Sequence, residues 1–305
     1  FLCHPKPKDE AEVALFKKIA ERTLETPDTW EVALSSGEDK KAAWTRLIKD
    51  GKLGGLAMLR NIANMRKAEV EKQVIDEGIA NLKSSMLLPF DFLKARNMNM
   101  EFEREIEDAM LCAYERMPKL EGRTLFIVDV SGSMGTRVSR LSDMTRLQCA
   151  EAMAMLAANQ CEQFELVCTA GNDSTRVGAS EHILYPKRGF GLIGQIEDTY
   201  SRLHGGGIFT RQCSEWCRKN IDGDFDRIII FSDSQDCDYP DKRTPNPYGK
   251  HNYICDVSCE THGVNFKSVW TAEISGFSEH FLSYIAANED VTIKPITEDV
   301  DNGRK

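Results

Sequence analysis

Near Gly122 the hydrophobic period of this 305-residue chain changes, and the change divides it into two kinds of structure. Upstream, apolar residues recur every three or four positions: Trp44, Leu47 and Ile48, then Leu56, Leu59, Ile62 and Ala63, then Ile75, Ile79 and Leu82. That spacing gathers them on one face of successive helices. Asp28-Thr29-Trp30-Glu31 predicts a capping box, and a last helix is expected over 99–117, closed by Pro118 and Gly122. Downstream, β-rich runs at 124–130, 164–169, 227–231 and 266–271 alternate with helical stretches at 143–161, 192–203 and 278–288. This alternation predicts a parallel sheet with crossover helices. The expected fold class is α plus α/β: a helical-repeat segment over 1–120, then a doubly wound domain over 121–305. Such sheets bind ligands at the carboxyl ends of their strands.

Composition narrows the classes. With 41% hydrophobic and 29% charged residues, collagen-like, disordered and membrane-spanning chains are excluded. No run approaches the roughly 18–20 apolar residues of a spanning helix. The start, Phe1-Leu2-Cys3-His4-Pro5-Lys6-Pro7, has no apolar signal core, and it lacks an initiator Met, so the protein is expected to extend upstream. Of ten cysteines, Cys149, Cys161 and Cys168 lie inside apolar periodic segments, which predicts reduced thiols and a cytoplasmic location. The net charge is −9, yet residues 40–72 hold nine basic groups against three acids. This basic stripe reads either as a phosphate-binding face or as a solvated helix face laced with ion pairs.

The most specific chemistry follows the first apolar run. Leu125-Phe126-Ile127-Val128 leads into Asp129-Val130-Ser131-Gly132-Ser133, so one carboxylate and two hydroxyls leave a buried strand at its carboxyl end. Hard cations such as Mg²⁺ take oxygen ligands in this kind of turn. A second strand, Ile228-Ile229-Ile230-Phe231-Ser232, delivers Asp233 in the same way. The loop Gly205-Gly206-Gly207-Ile208-Phe209-Thr210 offers a further hydroxyl. Asp129, Ser131, Ser133, Thr210 and Asp233 are the expected metal ligands, although Ser and Asp at strand ends also serve as ordinary turn formers and caps.

These residues resemble the metal-ion-dependent adhesion site of the von Willebrand factor A fold. The resemblance implies a divalent cation, most often Mg²⁺, with an open position for a partner's carboxylate, and binding rather than catalysis. The Ile-Phe between the glycines and Thr210 departs from the family pattern. Over the whole chain, His4-Pro5-Lys6-Pro7, the segment Thr29 to Ser35 and the segment Leu56 to Ile62 resemble the TROVE module of the Ro autoantigen family, in a bacterial or phage form. That resemblance implies a ring of HEAT-like helical repeats, of which this chain holds the carboxyl-terminal part, joined by the A-type domain. Its implied partners are small noncoding, Y-like RNAs and the single-stranded ends of misfolded RNAs, with a nuclease or other protein docked on the metal and no membrane. His4 falls on an RNA-contacting histidine of the family and Lys6 on the same motif; Arg60, Arg66 and Lys67 are the further RNA candidates within the stripe.

Other motifs are weaker. Gly189-Phe190-Gly191-Leu192-Ile193-Gly194 matches G-x-G-x-x-G, but Pro186-Lys187-Arg188 spoils the tight turn from strand to helix. Cys213-x3-Cys217 and Cys255-x3-Cys259, with His251 and His262, can be drawn as a zinc site or as core thiols. No G-x-x-x-x-G-K-[ST], H-E-x-x-H or G-x-S-x-G occurs, which does not by itself exclude a hydrolase; that no enzyme is expected follows from the resemblance to a binding device. Three functions stay open: an RNA-binding Ro-like protein, a protein-adhesion or adaptor module without RNA binding, and an accessory subunit of a metal-chelatase type complex.

Overall fold

The computed structural model describes residues 6–24, 28–82, 87–115, 117–203, 205–238, 244–258, 266–278 and 280–290. The chain divides into two compact units, Phe1–Leu82 and Lys83–Lys305. In the first, five helices follow one another: α1 (Glu10–Glu21), α2 (Trp30–Ser35), α3 (Lys40–Lys49), α4 (Gly55–Lys67) and α5 (Lys72–Ala80). Short acceptor side chains set two of their starts, Asp9 for α1 and Asp39 for α3, each accepting from a backbone N–H three residues on. Thr29 caps α2 only loosely, at 3.5 Å. Asp28, expected in a capping box, instead takes Arg46 and Lys52 as partners. Six of the periodic residues form the core, Trp44, Leu47, Leu59, Ile62, Ile75 and Ile79, whereas Leu56 is exposed and Met58 is buried in its stead. Trp30 stacks on Trp44 with ring centroids 5.9 Å apart.

The second unit adds α6 (Pro89–Met98), α7 (Glu103–Tyr114), α8 (Arg146–Gln160), α9 (Phe190–Leu203), α10 (Thr210–Asn220) and α11 (Phe281–Asn288) to six strands. These are β1 (Leu120–Asp129), β2 (Cys161–Asn172), β3 (Val177–Ile183), β4 (Arg227–Ser232), β5 (His251–Asp256) and β6 (Ala272–Ser275). The sheet order is β3-β2-β1-β4-β5-β6, parallel throughout except for β3 at one edge. Helices α6 and α7, read from sequence with the helical half, pack within this unit. Phe92 of α6 meets Tyr114 of α7 edge-on, and the Tyr114 hydroxyl donates to Leu87 O at 2.8 Å.

Both faces of the sheet are covered. Leu125, Ile127, Ile228 and Ile230 bury one side together with Cys213 and Cys217 of α10. On the other side Phe126 meets Phe231, and Phe231 meets Phe281 of α11. The central strands therefore read as unbroken apolar runs, as strands covered on both sides must. Residues 266–271, expected as a strand, turn instead: Phe266 and Ser268 have φ of 57° and 71°, while Trp270 drops into the core cluster. The strand of this region begins at Ala272.

One buried group runs against the rest of this core. Glu151 of α8 is 1% exposed, and neither carboxylate oxygen has a hydrogen-bond partner among the described residues. Burial, then the nearby Glu197, holds its carboxyl well above the usual range, with Arg96 only partly offsetting. Because the folded-state value is raised, the stability cost is absent below the unfolded value of about 4.3 and grows as pH rises toward the folded one. Glu151→Gln is expected to be neutral near pH 4 and to stabilise by about 1–3 kcal/mol at pH 8, read from urea midpoints at the two pH values. Equal effects at both would show that Glu151 is not a buried acid.

Candidate metal centre and nucleic-acid face

The strand order reverses between β1 and β4, and the loops leaving their carboxyl ends meet there. Asp129 closes β1, fully buried; its Oδ1 accepts from Ser131 N at 2.8 Å and its Oδ2 from the Ser232 hydroxyl at 2.7 Å. The Ser131 and Ser133 hydroxyls lie 3.2 Å apart. Neighbouring oxygens of an octahedral Mg²⁺ shell are separated by roughly 3 Å, so the pair suits adjacent ligand positions. The glycines allow the loops to close on each other. Gly132 N donates to the carbonyls of Gly205 and Gly206, and a Cβ on Gly205 would stand 2.4 Å from Gly171 O.

Asp233 follows β4 and is 2% exposed. Its Oδ2 accepts from Nη1 of Arg146 at 2.7 Å, in an ion pair whose side chains are 0% and 5% exposed. Arg146 is the first residue of α8, capped reciprocally by Thr145 and Gln148. A cation in the first turn opposes the helix dipole. It is tolerated here because an acid receives it; Arg146 is a residue that the spacing argument missed, and its place in the first helical turn is the signal that could have found it. A second missed residue is Asp256, closing β5 and 2% exposed, whose carboxyl is pushed up by burial and by Asp233 while Arg146 and bonds from Ser258 oppose the shift.

Asp233 thus pairs with one guanidinium and lies in the field of two further buried carboxylates, Asp129 and Asp256. Asp129 is pushed up to about 7 by burial first and by Asp233 second. Fully ionised, the group would carry two uncompensated negative charges, a deficit that a divalent cation matches. Among the described residues no three His, Cys, Asp or Glu side chains are grouped to hold an ion, so a cation here must draw on the serine hydroxyls as well. With those hydroxyls the donor set is the all-oxygen kind that hard cations take.

Of the five expected ligands, contacts join Asp129, Ser131 and Ser133, and the field of Asp233 reaches Asp129. Thr210 is placed differently. Its N–H and hydroxyl both engage Asp236, and among the described residues no contact joins it to the other four. Burial pushes Asp236 up to about 6.

The weaker motifs resolve as packing. The N–H of Phe190, opening α9 in the G-x-G-x-x-G segment, donates to Glu107 at 2.6 Å, so an acid holds the place a pyrophosphate would need. The Cys213 and Cys217 sulfurs are 3.9 Å apart in the core, while Cys259 and His262 lie outside the described residues.

On the helical unit, ion pairs take up much of the basic stripe. Arg46 pairs with Asp28 and Glu38, Lys52 with Asp28, Lys41 with Glu71 and Lys72 with Asp76. Arg60, Arg66 and Lys67 are exposed on α4, and Lys6 is exposed ahead of α1. His4 lies outside the described residues.

The TROVE domain model matches residues 20–166. Telomerase protein component 1 of Mus musculus is 33% identical over 89 residues, covering 27% of this chain, and that of Rattus norvegicus is 32% identical over the same length. The chain spans about 3% of the length of these curated relatives. The crystal structure of the Deinococcus radiodurans Ro (Rsr) protein superposes with a TM-score of 0.53 at 17% identity, covering 95% of this chain and 69% of that one, a likeness of fold. The TROVE match, with the telomerase component beside it, identifies a TROVE domain over residues 20–166 of this chain.

Proposed function

We propose that this chain is an RNA-binding, non-catalytic protein with two working surfaces: basic helices that hold RNA, and a Mg²⁺-dependent docking site on the α/β unit. The TROVE match carries the RNA reading, because the Ro/TROVE family is RNA-binding and the match begins in the helical unit. In the finer reading the helices belong to a HEAT-like ring and the second unit is a von Willebrand factor A type domain. The RNAs are then small noncoding Y-like species and the single-stranded ends of misfolded RNA, met in the cytoplasm. No helix among the described residues is long and apolar enough to cross a membrane.

On the α/β unit, Asp129, Ser131, Ser133 and Asp233 would hold the cation. A bound Mg²⁺ or Mn²⁺ would supply an open coordination position for a carboxylate of a partner such as a nuclease. The backbone N–H of Ser131 and the hydroxyl of Ser232 orient Asp129 for this role, and Arg146 holds Asp233. Thr210 enters only if it exchanges Asp236 for the cation.

One preparation tests both surfaces. Protein purified without nuclease is expected to carry RNA, seen as a raised 260/280 nm absorbance ratio that nuclease removes. Mn²⁺ is expected to raise its melting temperature by mass action, and Asp129→Asn to abolish that rise while leaving RNA affinity unchanged. Absence of RNA beside a metal-dependent partner would replace this reading with the adhesion module; an unchanged metal response in Asp129→Asn would remove the metal assignment.

A further inference from the structure

We propose that the cleft between α2, α3 and α4 is a subsite for one unpaired RNA nucleotide, its phosphate on Lys40 and Lys67 and its base against Leu34 and Ala68. This rests on the RNA reading above and gives it a location. The cleft has a volume of about 360 Å³ and is lined by Leu34, Lys40, Trp44, Asn64, Lys67 and Ala68. That is near the lower end of the roughly 300–1,000 Å³ of small-molecule sites, so it admits a single nucleotide and no duplex.

Charge selects this place from the whole stripe. Arg46, Lys41, Lys52 and Lys72 are spent on neighbouring acids. Lys40 and Lys67, by contrast, are exposed and have no acidic partner among the described residues, and no acid lines the cleft. On a chain of net charge −9, two uncompensated ammonium groups at one concavity form a local anion site.

The remaining lining suits the rest of a nucleotide. Leu34 and Ala68 are half-buried and offer an apolar wall against which the face of one base can be withdrawn from water. The orientation of Asn64 is settled by a relay: Asn61 gives its Nδ2 to Ala57 O, so its Oδ1 must accept, and Asn64 supplies Nδ2 to it at 2.8 Å. The Oδ1 of exposed Asn64 is left to accept from a base amine or a ribose hydroxyl, which recognises RNA through its 2′-OH. Behind the cleft Trp44, stacked on Trp30, makes a stiff floor and a fluorescent reporter.

The test uses the full chain and a fluorescein-labelled ten-nucleotide single-stranded RNA, followed by anisotropy from 50 to 300 mM KCl. Lys40→Gln/Lys67→Gln is expected to weaken binding at least tenfold at 50 mM and to reduce the logarithmic salt slope by about 1.4, two contacts at roughly 0.7 each. Lys49→Gln, on α3 and likewise without an ion pair among the described residues, is the control and should change affinity less than threefold. Leu34→Thr is expected to weaken binding severalfold with no change in slope. AMP should compete better than inorganic phosphate and should quench tryptophan emission, whereas the same RNA annealed into a duplex should bind without sensitivity to the double substitution. If Lys40→Gln/Lys67→Gln behaves like Lys49→Gln while the wild type binds RNA, the cleft is wrong and the RNA reading stands. If phosphate competes as well as AMP, the site holds only an anion. If the wild type binds no RNA, the reading of the function falls first, and the cleft with it.

Discussion

Asp233→Ala is expected to cost the metal-free protein about 3–5 kcal/mol, the usual price of leaving one half of a buried ion pair behind. Its partner Arg146 is 4% exposed and pinned by the start of α8, whose first N–H donates to Thr136 O. The guanidinium can neither reach solvent nor lose its proton, so removing the acid takes away the buried carboxylate that receives its Nη1. Urea denaturation in EDTA measures the loss. A double substitution, Arg146→Met with Asp233→Leu, is expected to recover most of it, because paired removal exchanges two desolvation penalties for apolar packing. A cost below about 1 kcal/mol for Asp233→Ala would mean that water reaches Arg146 and the pair is a surface one. The consequence for metal studies is direct. Asp233→Ala confuses loss of a ligand with loss of fold, whereas Asp129→Asn keeps an acceptor for Ser131 N and tests the ligand alone.

What could be read from sequence follows the range of the interactions involved. Strands β1 and β4 announce themselves because burial on both faces demands unbroken apolar runs, and Asp129 and Asp233 are then placed simply by being the next residues. β5 was not legible: it starts with His251 and Asn252, whose polarity suits their half-buried end of the sheet, while residues 266–271 carry strand-like composition and yet form turns around Trp270. Composition reports what a segment can pack against, and the tertiary structure decides whether it pairs. β3 alternates between partly covered and exposed positions because it lies at the antiparallel edge.

Within the site the same division holds. Asp129, Ser131 and Ser133 lie within five residues of one turn, so their spacing carries the geometry. Arg146 and Asp233 meet across 87 positions, and no local pattern encodes that meeting. The helix dipole alone offers a hint of it, since a basic first residue of a buried helix calls for an acid to receive it. The basic stripe likewise divided only in three dimensions, where Asp28, between α1 and α2 in sequence, was found to serve Arg46 and Lys52.

The second large effect is expected at the opposite end of the same strand. Arg227 opens β4, 3% exposed, and its guanidinium is bonded through all three nitrogens. Nε and Nη2 bond the Glu289 carboxylate at 2.6–3.0 Å, and Nη1 bonds Glu121 O at 2.8 Å and Thr124 Oγ1 at 2.9 Å. The Tyr253 hydroxyl donates to Glu289 Oε1 at 3.1 Å. An acid at the carboxyl end of a helix opposes the dipole, so Glu289 stabilises α11 only through Arg227 and Tyr253. Glu289→Ala is expected to cost about 3–5 kcal/mol, and Glu289→Gln less, because the amide oxygen still accepts from both partners. The loss should be local in hydrogen exchange. Amides of α11 and of β4 should lose protection first, since Phe281 of α11 rests edge-on against Phe231 of β4 at 6.1 Å, one residue before the Ser232 that orients Asp129. Loosening this anchor should therefore also weaken Mn²⁺ binding, although Glu289 touches none of the candidate ligands. Unchanged protection of α11 in Glu289→Ala would show that the helix is held by its apolar face alone, and the coupling between the two ends of β4 would then have no physical carrier.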